Sequence, residues 1–242
     1  MNYEELLKRG PYELGAEEKK KIYADMLSEL TDSHRNRCLI YDWCCSALGD
    51  VSGSKRREEE IPMVPVSMFK EMELRSVPTG AVFKTVASSG TTGQKTSKIV
   101  LDERTAAWQQ QTLQRIMADF IGEKRIPMLI IDAPNVLRDR ALFSARGAGI
   151  LGFSIFGSKR CYALKEDMSL DLETVEAFLE KAGDGPVLVF GFTYMVWKYF
   201  YEPLKRSGHR LHLEHGFLIH GGGWKKLTKE AVSAEKFRDG LR

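Results

Sequence analysis

The sequence predicts an α/β fold, with a mainly parallel sheet flanked by helices and a helical amino-terminal segment before it. Three observations carry this expectation. From Val82 onward, short β-rich apolar runs alternate with stretches whose apolar residues recur at three- and four-residue spacing, the pattern of a parallel sheet covered on both faces. Residues 3–48, by contrast, read as helix throughout. At 242 residues, 43% apolar and 29% charged, the chain is long enough for a packed core and has ordinary globular composition.

In the amino-terminal segment a charged stretch from Glu17 to Leu30 leads through Thr31-Asp32-Ser33 into an apolar-rich helix ending near Leu48-Gly49. Ser33 is the expected N-cap of that second helix, since its hydroxyl can take an unpaired amide of the first turn. From Gly49 to Glu60 the helical pattern stops. The charge run Lys55-Arg56-Arg57-Glu58-Glu59-Glu60 cancels itself and reads as a solvated connector. A boundary is therefore expected at residue 60, with residues 1–60 a helical segment and residues 61–242 the α/β part.

Pro62, Pro65 and Pro78 punctuate the next stretch, where Val64-Pro65-Val66 should run extended into a short helix at Met68-Phe69. Apolar runs then fall at residues 81–87, 128–131, 150–156 and 187–190. Helices are expected between them at residues 102–121, with Asp102 as cap and Gly122 as stop, near 139–148, and at 172–181, ending at Gly183. Thr193 is placed to cap a further helix that Pro203 should bend or end. On that helix Trp197, Tyr199, Phe200 and Tyr201 read as core residues before they read as an acyl pocket.

Charge and composition narrow the function classes. The net charge of +3, from 36 basic and 33 acidic residues, lacks the concentrated basic surplus of a nucleic-acid-binding domain. No stretch approaches the ~18 apolar residues of a membrane span, and Met1-Asn2-Tyr3-Glu4-Glu5 is no basic-then-apolar leader, so the cytosol is the expected compartment. Cys38, Cys44, Cys45 and Cys161 have neither metal-finger nor disulfide-framework spacing and read as buried thiols. His209, His212, Glu214, His215 and His220 lack the i, i+4 spacing of the helical zinc motif, so no metal ligands are assigned.

One segment carries chemistry. Ser88-Ser89-Gly90-Thr91-Thr92-Gly93-Gln94-Lys95-Thr96-Ser97-Lys98 follows directly on a strand ending at Ala87. Its glycines permit a tight, amide-exposing backbone, its hydroxyls can donate to phosphate oxygens, and Lys95 and Lys98 supply charge. It is not the P-loop, because the spacing from Gly90 reaches Lys95 where that pattern needs glycine. On composition alone a Ser/Gly/Thr surface turn is the simpler reading and a phosphate cradle the other.

Resemblance shifts that balance. Residues 88–98 resemble the Thr/Ser/Gly-rich phosphate loop of the adenylate-forming superfamily, and Ile61-Pro62-Met63-Val64-Pro65-Val66-Ser67-Met68-Phe69-Lys70 resembles a segment found ahead of it in the acyl-protein synthetases of bacterial bioluminescence (LuxE type). Ser97-Lys98-Ile99-Val100-Leu101-Asp102, Pro127-Met128-Leu129-Ile130-Ile131-Asp132, Phe190-Gly191-Phe192-Thr193 and His220-Gly221-Gly222-Gly223-Trp224-Lys225-Lys226 are similar to further blocks of that family. The likeness spans residues 60–226 or so, and the combination is more specific than any single block.

The resemblance implies the nucleotide-binding, amino-terminal part of an enzyme in which a fatty or other hydrophobic carboxylic acid attacks the α-phosphate of ATP, with Mg2+, before transfer to a protein or carrier thiol. It implies that Ser88, Ser89, Gly90, Thr91, Thr92 and Gly93 hold the β- and γ-phosphates, with Lys98 as an added cation. Gly221, Gly222 and Gly223 would lie against adenine and acyl group, although as residues they read equally as a flexible turn. His220 would orient the carboxylate or acyl carbonyl; a structural histidine at a strand end is the blander reading. A coenzyme A ligase of the phenylacetate type and a non-catalytic module that kept the fold are the alternatives.

Several features of the superfamily are missing from this sequence: the later aromatic-Gly-x-Thr/Ser-Glu segment, the ribose-binding aspartate, the mobile carboxy-terminal domain and, as no cysteine follows Cys161, the late acyl-accepting cysteine. The chain alone is therefore expected to be incomplete and inactive in acyl transfer, the remainder coming from a longer parent chain or a partner subunit.

Overall fold

The computed structural model describes residues 3–87, 95–137 and 145–241. The chain divides into two compact units, Met1–Phe120 and Ile121–Arg242.

In the first unit the helical segment consists of α1 (Tyr3–Lys8), α2 (Ala16–Arg35) and α3 (Leu39–Ala47). α2 runs through Thr31-Asp32-Ser33 instead of breaking there, so Ser33 is a helix-interior residue and Cys38 holds the N-cap position of α3. The reason is tertiary. Thr31 is buried, and Asp32 accepts from the Gly53 amide at 3.0 Å and from Arg56 at 2.9 Å, so side chains able to cap locally are committed elsewhere.

Arg56 also overturns the solvated-connector reading of its charge run. Its side chain is 2% exposed and meets Asp50 with Nε to Oδ1 at 2.6 Å and Nη2 to Oδ2 at 2.8 Å. Arg35 reaches the same carboxylate from α2, Nη1 to Oδ2 at 2.6 Å, and also pairs with Asp42 at 2.7 Å. Two guanidiniums on one carboxylate thus fasten the 49–60 connector onto α2 and α3. The rest of the run is solvated as expected: Lys55 and Arg57 are exposed, and Arg57 pairs with Glu60 across a 3-10 turn at Glu58–Glu60.

Beyond the prolines come α4 (Met68–Glu71), β1 (Lys84–Ala87), β2 (Lys98–Leu101) and α5 (Glu103–Ile121). β1 does not join the parallel sheet; it pairs antiparallel with β2, Lys84 opposite Leu101 and Ala87 opposite Lys98. Asp102 caps α5 by accepting from the Thr105 amide at 2.7 Å, and Gly122 follows it at φ +78°. Met117 and Ile121 of the α5 stripe are buried, while Ile116 and Phe120 stay exposed.

The second unit holds β3 (Ile126–Ile131), α6 (Ala145–Phe153), β4 (Gly157–Tyr162), α7 (Leu172–Ala182), β5 (Val187–Phe192), α8 (Thr193–Met195), α9 (Glu202–Ser207), β6 (Gly216–Gly221) and α10 (Ala234–Gly240). Its four strands form one parallel sheet in the order β4-β3-β5-β6. Central β3 and β5 are almost continuously apolar and buried, as a sheet covered on both faces requires. The run at 150–156 is helical, in α6 and a 3-10 turn at Ser154–Phe156, and the strand that follows it is β4. β4 lies at the sheet edge with Ser158, Lys159 and Arg160 exposed, so it lacks the apolar signature of an inner strand. Of the helix expected near 139–148, residues 138–144 lie outside the described residues, and α6 covers the remainder.

α7 starts at the Asp171 cap and stops at Gly183, φ +60°. Phe192, not Thr193, holds the N-cap position of α8. A π-helical stretch, Val196–Tyr201, carries α8 into α9. Pro203 follows directly on the π-helical stretch, where the hydrogen-bond ladder has already changed register, and the helix continues past it to Ser207. Trp197 and Phe200 are buried in the main apolar cluster with Val189, Met195 and Phe237. Among the described residues, no helix is long and apolar enough to cross a membrane.

Arg56 hydrogen bonding, first, and then Arg35 hold Asp50 below the usual aspartate range against its burial, and Arg56 does the same for Asp32. Because these folded-state values are depressed, the stability they contribute is present above the ordinary aspartate range and is lost as pH falls through the depressed values. Asp50→Asn should cost about 3 kcal/mol at neutral pH, read by urea denaturation, and should flatten the acid side of the stability profile.

Candidate functional site

Parallel pairing aligns three strand ends in the second unit. Ile131 of β3 lies opposite Gly191 of β5, and Gly191 and Phe192 lie opposite His220 and Gly221 of β6. The carboxyl ends of such strands are where open α/β sheets place ligands. Glycine at 191 is required by packing: a Cβ there would stand 2.8 Å from Val196 Cγ2 and 2.9 Å from Ile131 Cβ. The chain can therefore turn directly from β5 into α8 across the end of β3.

Gly222 follows β6 at φ +88°, and a Cβ on it would come within 2.4 Å of Phe192 Cδ1. The backbone of the glycine loop is thus seated against the Phe192 ring, with Gly221, Gly222 and Gly223 all exposed. His220 sits beside it. Thr193 Oγ1 lies 3.1 Å from His220 Nδ1 and 3.1 Å from the Gly221 carbonyl oxygen, and the His220 ring packs on Phe237 at 4.7 Å between centroids. Burial lowers the His220 pKa, favouring neutral imidazole.

A second polar link was not assigned from sequence. Asp132, just past β3 and 2% exposed, accepts from the Ala133 amide at 2.8 Å and pairs with Arg146 of α6 at 3.3 Å. Arg146 Nη1 in turn donates to the Tyr194 hydroxyl at 3.3 Å. Burial pushes the Asp132 carboxyl above its usual value, against the pull of the Ala133 amide and Arg146. Its signal in the sequence was an acid directly after a strand otherwise wholly apolar.

Lys98 lies in the first unit, where it opens β2 on an exposed position and pairs with Ala87 in the strand register. The six residues Ser88, Ser89, Gly90, Thr91, Thr92 and Gly93 lie outside the described residues. Beside the paired strands is a groove of about 970 Å³ whose lining includes Phe69, Lys70, Arg75, Thr85, Lys95 and Lys98. Lys95 pairs with Glu71 at 2.9 Å and Arg75 with Glu73 at 3.0 Å. Lys70 and Lys98 have no acidic partner among the described residues. His220 and Gly221 to Gly223 are thus together in the second unit, and Lys98 belongs to the first. Among the described residues no group of three or more His, Cys, Asp or Glu side chains is arranged to hold a metal ion.

A family model described as Acyl-protein synthetase, LuxE, matches residues 3–241. No curated protein matches the chain.

Gly222→Ala should destabilise the second unit by about 2 kcal/mol, since it combines a left-handed φ with a collision against Phe192. Thermal unfolding checks this, with Gly221→Ala as the control, because a Cβ at 221 meets nothing within 4 Å.

Proposed function

This chain belongs to the acyl-protein synthetase family, LuxE type, and from that premise we propose that it supplies the nucleotide-binding part of an ATP-dependent ligase that activates a fatty or other hydrophobic carboxylic acid as its acyl-adenylate. The observation that carries the reading is the extent of the family match, residues 3–241, which includes both the 88–98 segment and the 220–223 loop. The acyl group then passes to a thiol on a protein or carrier.

In the proposed reaction a carboxylate oxygen attacks the α-phosphorus of ATP and pyrophosphate leaves. Charge on the leaving group is the main barrier, so preorganised donors contribute most. Ser88, Ser89, Thr91 and Thr92 would supply hydroxyls, Gly90 and Gly93 backbone amides, and Lys98 a cation with no acidic partner among the described residues. Gly222 and Gly223, both at positive φ, give a backbone surface on which a flat purine can lie closely. Bound Mg2+ would supply further charge neutralisation on the phosphates.

Calorimetry of ATP with Mg2+ tests the reading. Thr91→Ala/Thr92→Ala should weaken binding about tenfold or more if two charge-assisted hydrogen bonds are lost, with folding verified by circular dichroism. Unchanged binding in the double variant would remove the loop from the site.

None of the four cysteines is proposed as the acyl acceptor. Burial raises the thiol pKa of Cys45 and of Cys161, and Cys38 is buried as well. Intact-protein mass spectrometry after incubation with ATP, Mg2+ and dodecanoic acid should show no hydroxylamine-sensitive acyl adduct on the chain.

A further inference from the structure

The hydroxyl of Thr193 carries one proton but faces two groups, His220 Nδ1 and the Gly221 carbonyl oxygen, each at 3.1 Å. A carbonyl oxygen can only accept, so the hydroxyl proton points at Gly221. The hydroxyl oxygen is then left to accept, and its partner Nδ1 must carry the ring proton. Both contacts are satisfied only in the Nδ1–H tautomer, which leaves Nε2 with an open lone pair. Among the described residues the His220 ring also packs on the Phe237 ring, and neither contact carries charge.

This tautomer fits one class of ligand and rejects another. A neutral imidazole with no hydrogen on Nε2 has nothing to donate to a carboxylate or acyl carbonyl, and its lone pair repels theirs. A thiol offers a proton and needs to lose it, because the thiolate is the nucleophile and a free thiol is mostly protonated at neutral pH.

We propose that Thr193 is a positioning residue that fixes His220 as the Nδ1–H tautomer, and that His220 Nε2 takes the proton of the thiol attacking the acyl-adenylate. This assignment rests on the adenylate reading above and deepens it by giving the second half-reaction its base. The S–H bond breaks with its proton passing to Nε2, and the sulfur pair forms the C–S bond. The C–O bond to the phosphate then breaks, AMP leaves with that pair, and the imidazolium later returns its proton to water.

Two measurements on the 242-residue chain test this. Long-range nitrogen–proton correlation NMR should show His220 with a protonated Nδ1 and a pyridine-type Nε2. Thr193→Val should shift it toward the Nε2–H form, and Thr193→Ser should keep the wild-type signature. A wild-type ring protonated on Nε2 overturns the assignment. The second measurement supplies preformed dodecanoyl-adenylate with N-acetylcysteamine and follows thioester formation, so it does not depend on ATP activation. Because the preformed adenylate and the added thiol replace the later segments and the late cysteine that a complete cycle of this chain is expected to lack, wild type and Thr193→Ser should accelerate it, and Thr193→Val should lose about tenfold of the acceleration, a small part of what a well-placed general base contributes. No acceleration by the wild type, or an unaffected Thr193→Val, overturns the proton-acceptor role. Failure of ATP to bind in the calorimetry, with thiolysis intact, would instead strike the activation reading and leave this one standing.

Discussion

The pairing of β3 with β5 is the constraint from which the second unit follows. Met128, Leu129, Ile130 and Ile131 are wholly buried, and Val187 to Phe190 nearly so. At roughly 25 cal/mol per Å² of apolar surface removed from water, two such strands are a dominant stabilising term of the unit. Their register is tightly set, because a slip by one residue would turn every side chain to the other face. That register brings the ends of β3, β5 and β6 level, and Asp132, Thr193 and His220 with them. Site geometry is here a by-product of hydrophobic register. Polar residues sit at the first positions where the strands run out of apolar neighbours.

The first unit relies on charge. Its three amino-terminal helices contribute few fully buried apolar side chains, and Ile22, Cys38 and Cys45 are the buried hydrophobics among described residues 3–60. Arg35, Asp50 and Arg56 take over the task of fixing the connector. Desolvating them is costly, and only a complete set of partners offsets it: every guanidinium nitrogen of Arg56 has an acceptor, and both Asp50 oxygens are paired. An arrangement of this kind gives directional definition where packing gives little.

The sequence made the inner elements legible and the edges much less so. β3, β5, α5 and α7 combine strong apolar pattern with cap or stop residues, so periodicity and local chemistry agree, and each lies close to its expected position. β4 was hidden because an edge strand with Lys159 and Arg160 on its surface carries no apolar signature, while the neighbouring apolar run is helical. Ser33 and Arg56 misled for the opposite reason. Both are polar residues whose local preference is ordinary, and long-range ion pairing around Asp32 and Asp50 decides their surroundings. At the candidate site, the position of His220 and its glycines just after an apolar run could be read. The Thr193 contact could not, because it joins residues 27 apart in sequence through a strand pairing that no local pattern encodes.

The two kinds of cation in the first unit show why charge count alone says little about ligands. Arg56, enclosed by carboxylates, has its charge already neutralised, and releasing it to a ligand would strip Asp32 of its guanidinium and leave buried Asp50 with Arg35 alone, at a cost of about 3 kcal/mol. It is therefore a structural cation. Lys70 and Lys98 line an open groove and have no acidic partner among the described residues, so an arriving anion meets positive charge there that is not taken from a described pair. Exposed pairs such as Lys95 with Glu71 fall between these cases. They are worth at most about 1 kcal/mol, and a phosphate oxygen bearing more charge can exchange for the carboxylate at little loss. The groove beside β1 and β2 thus gathers Lys70, Arg75, Lys95 and Lys98 with Glu71 and Glu73, a lining in which cations outnumber acids, whereas Arg56 is fully committed to its carboxylates.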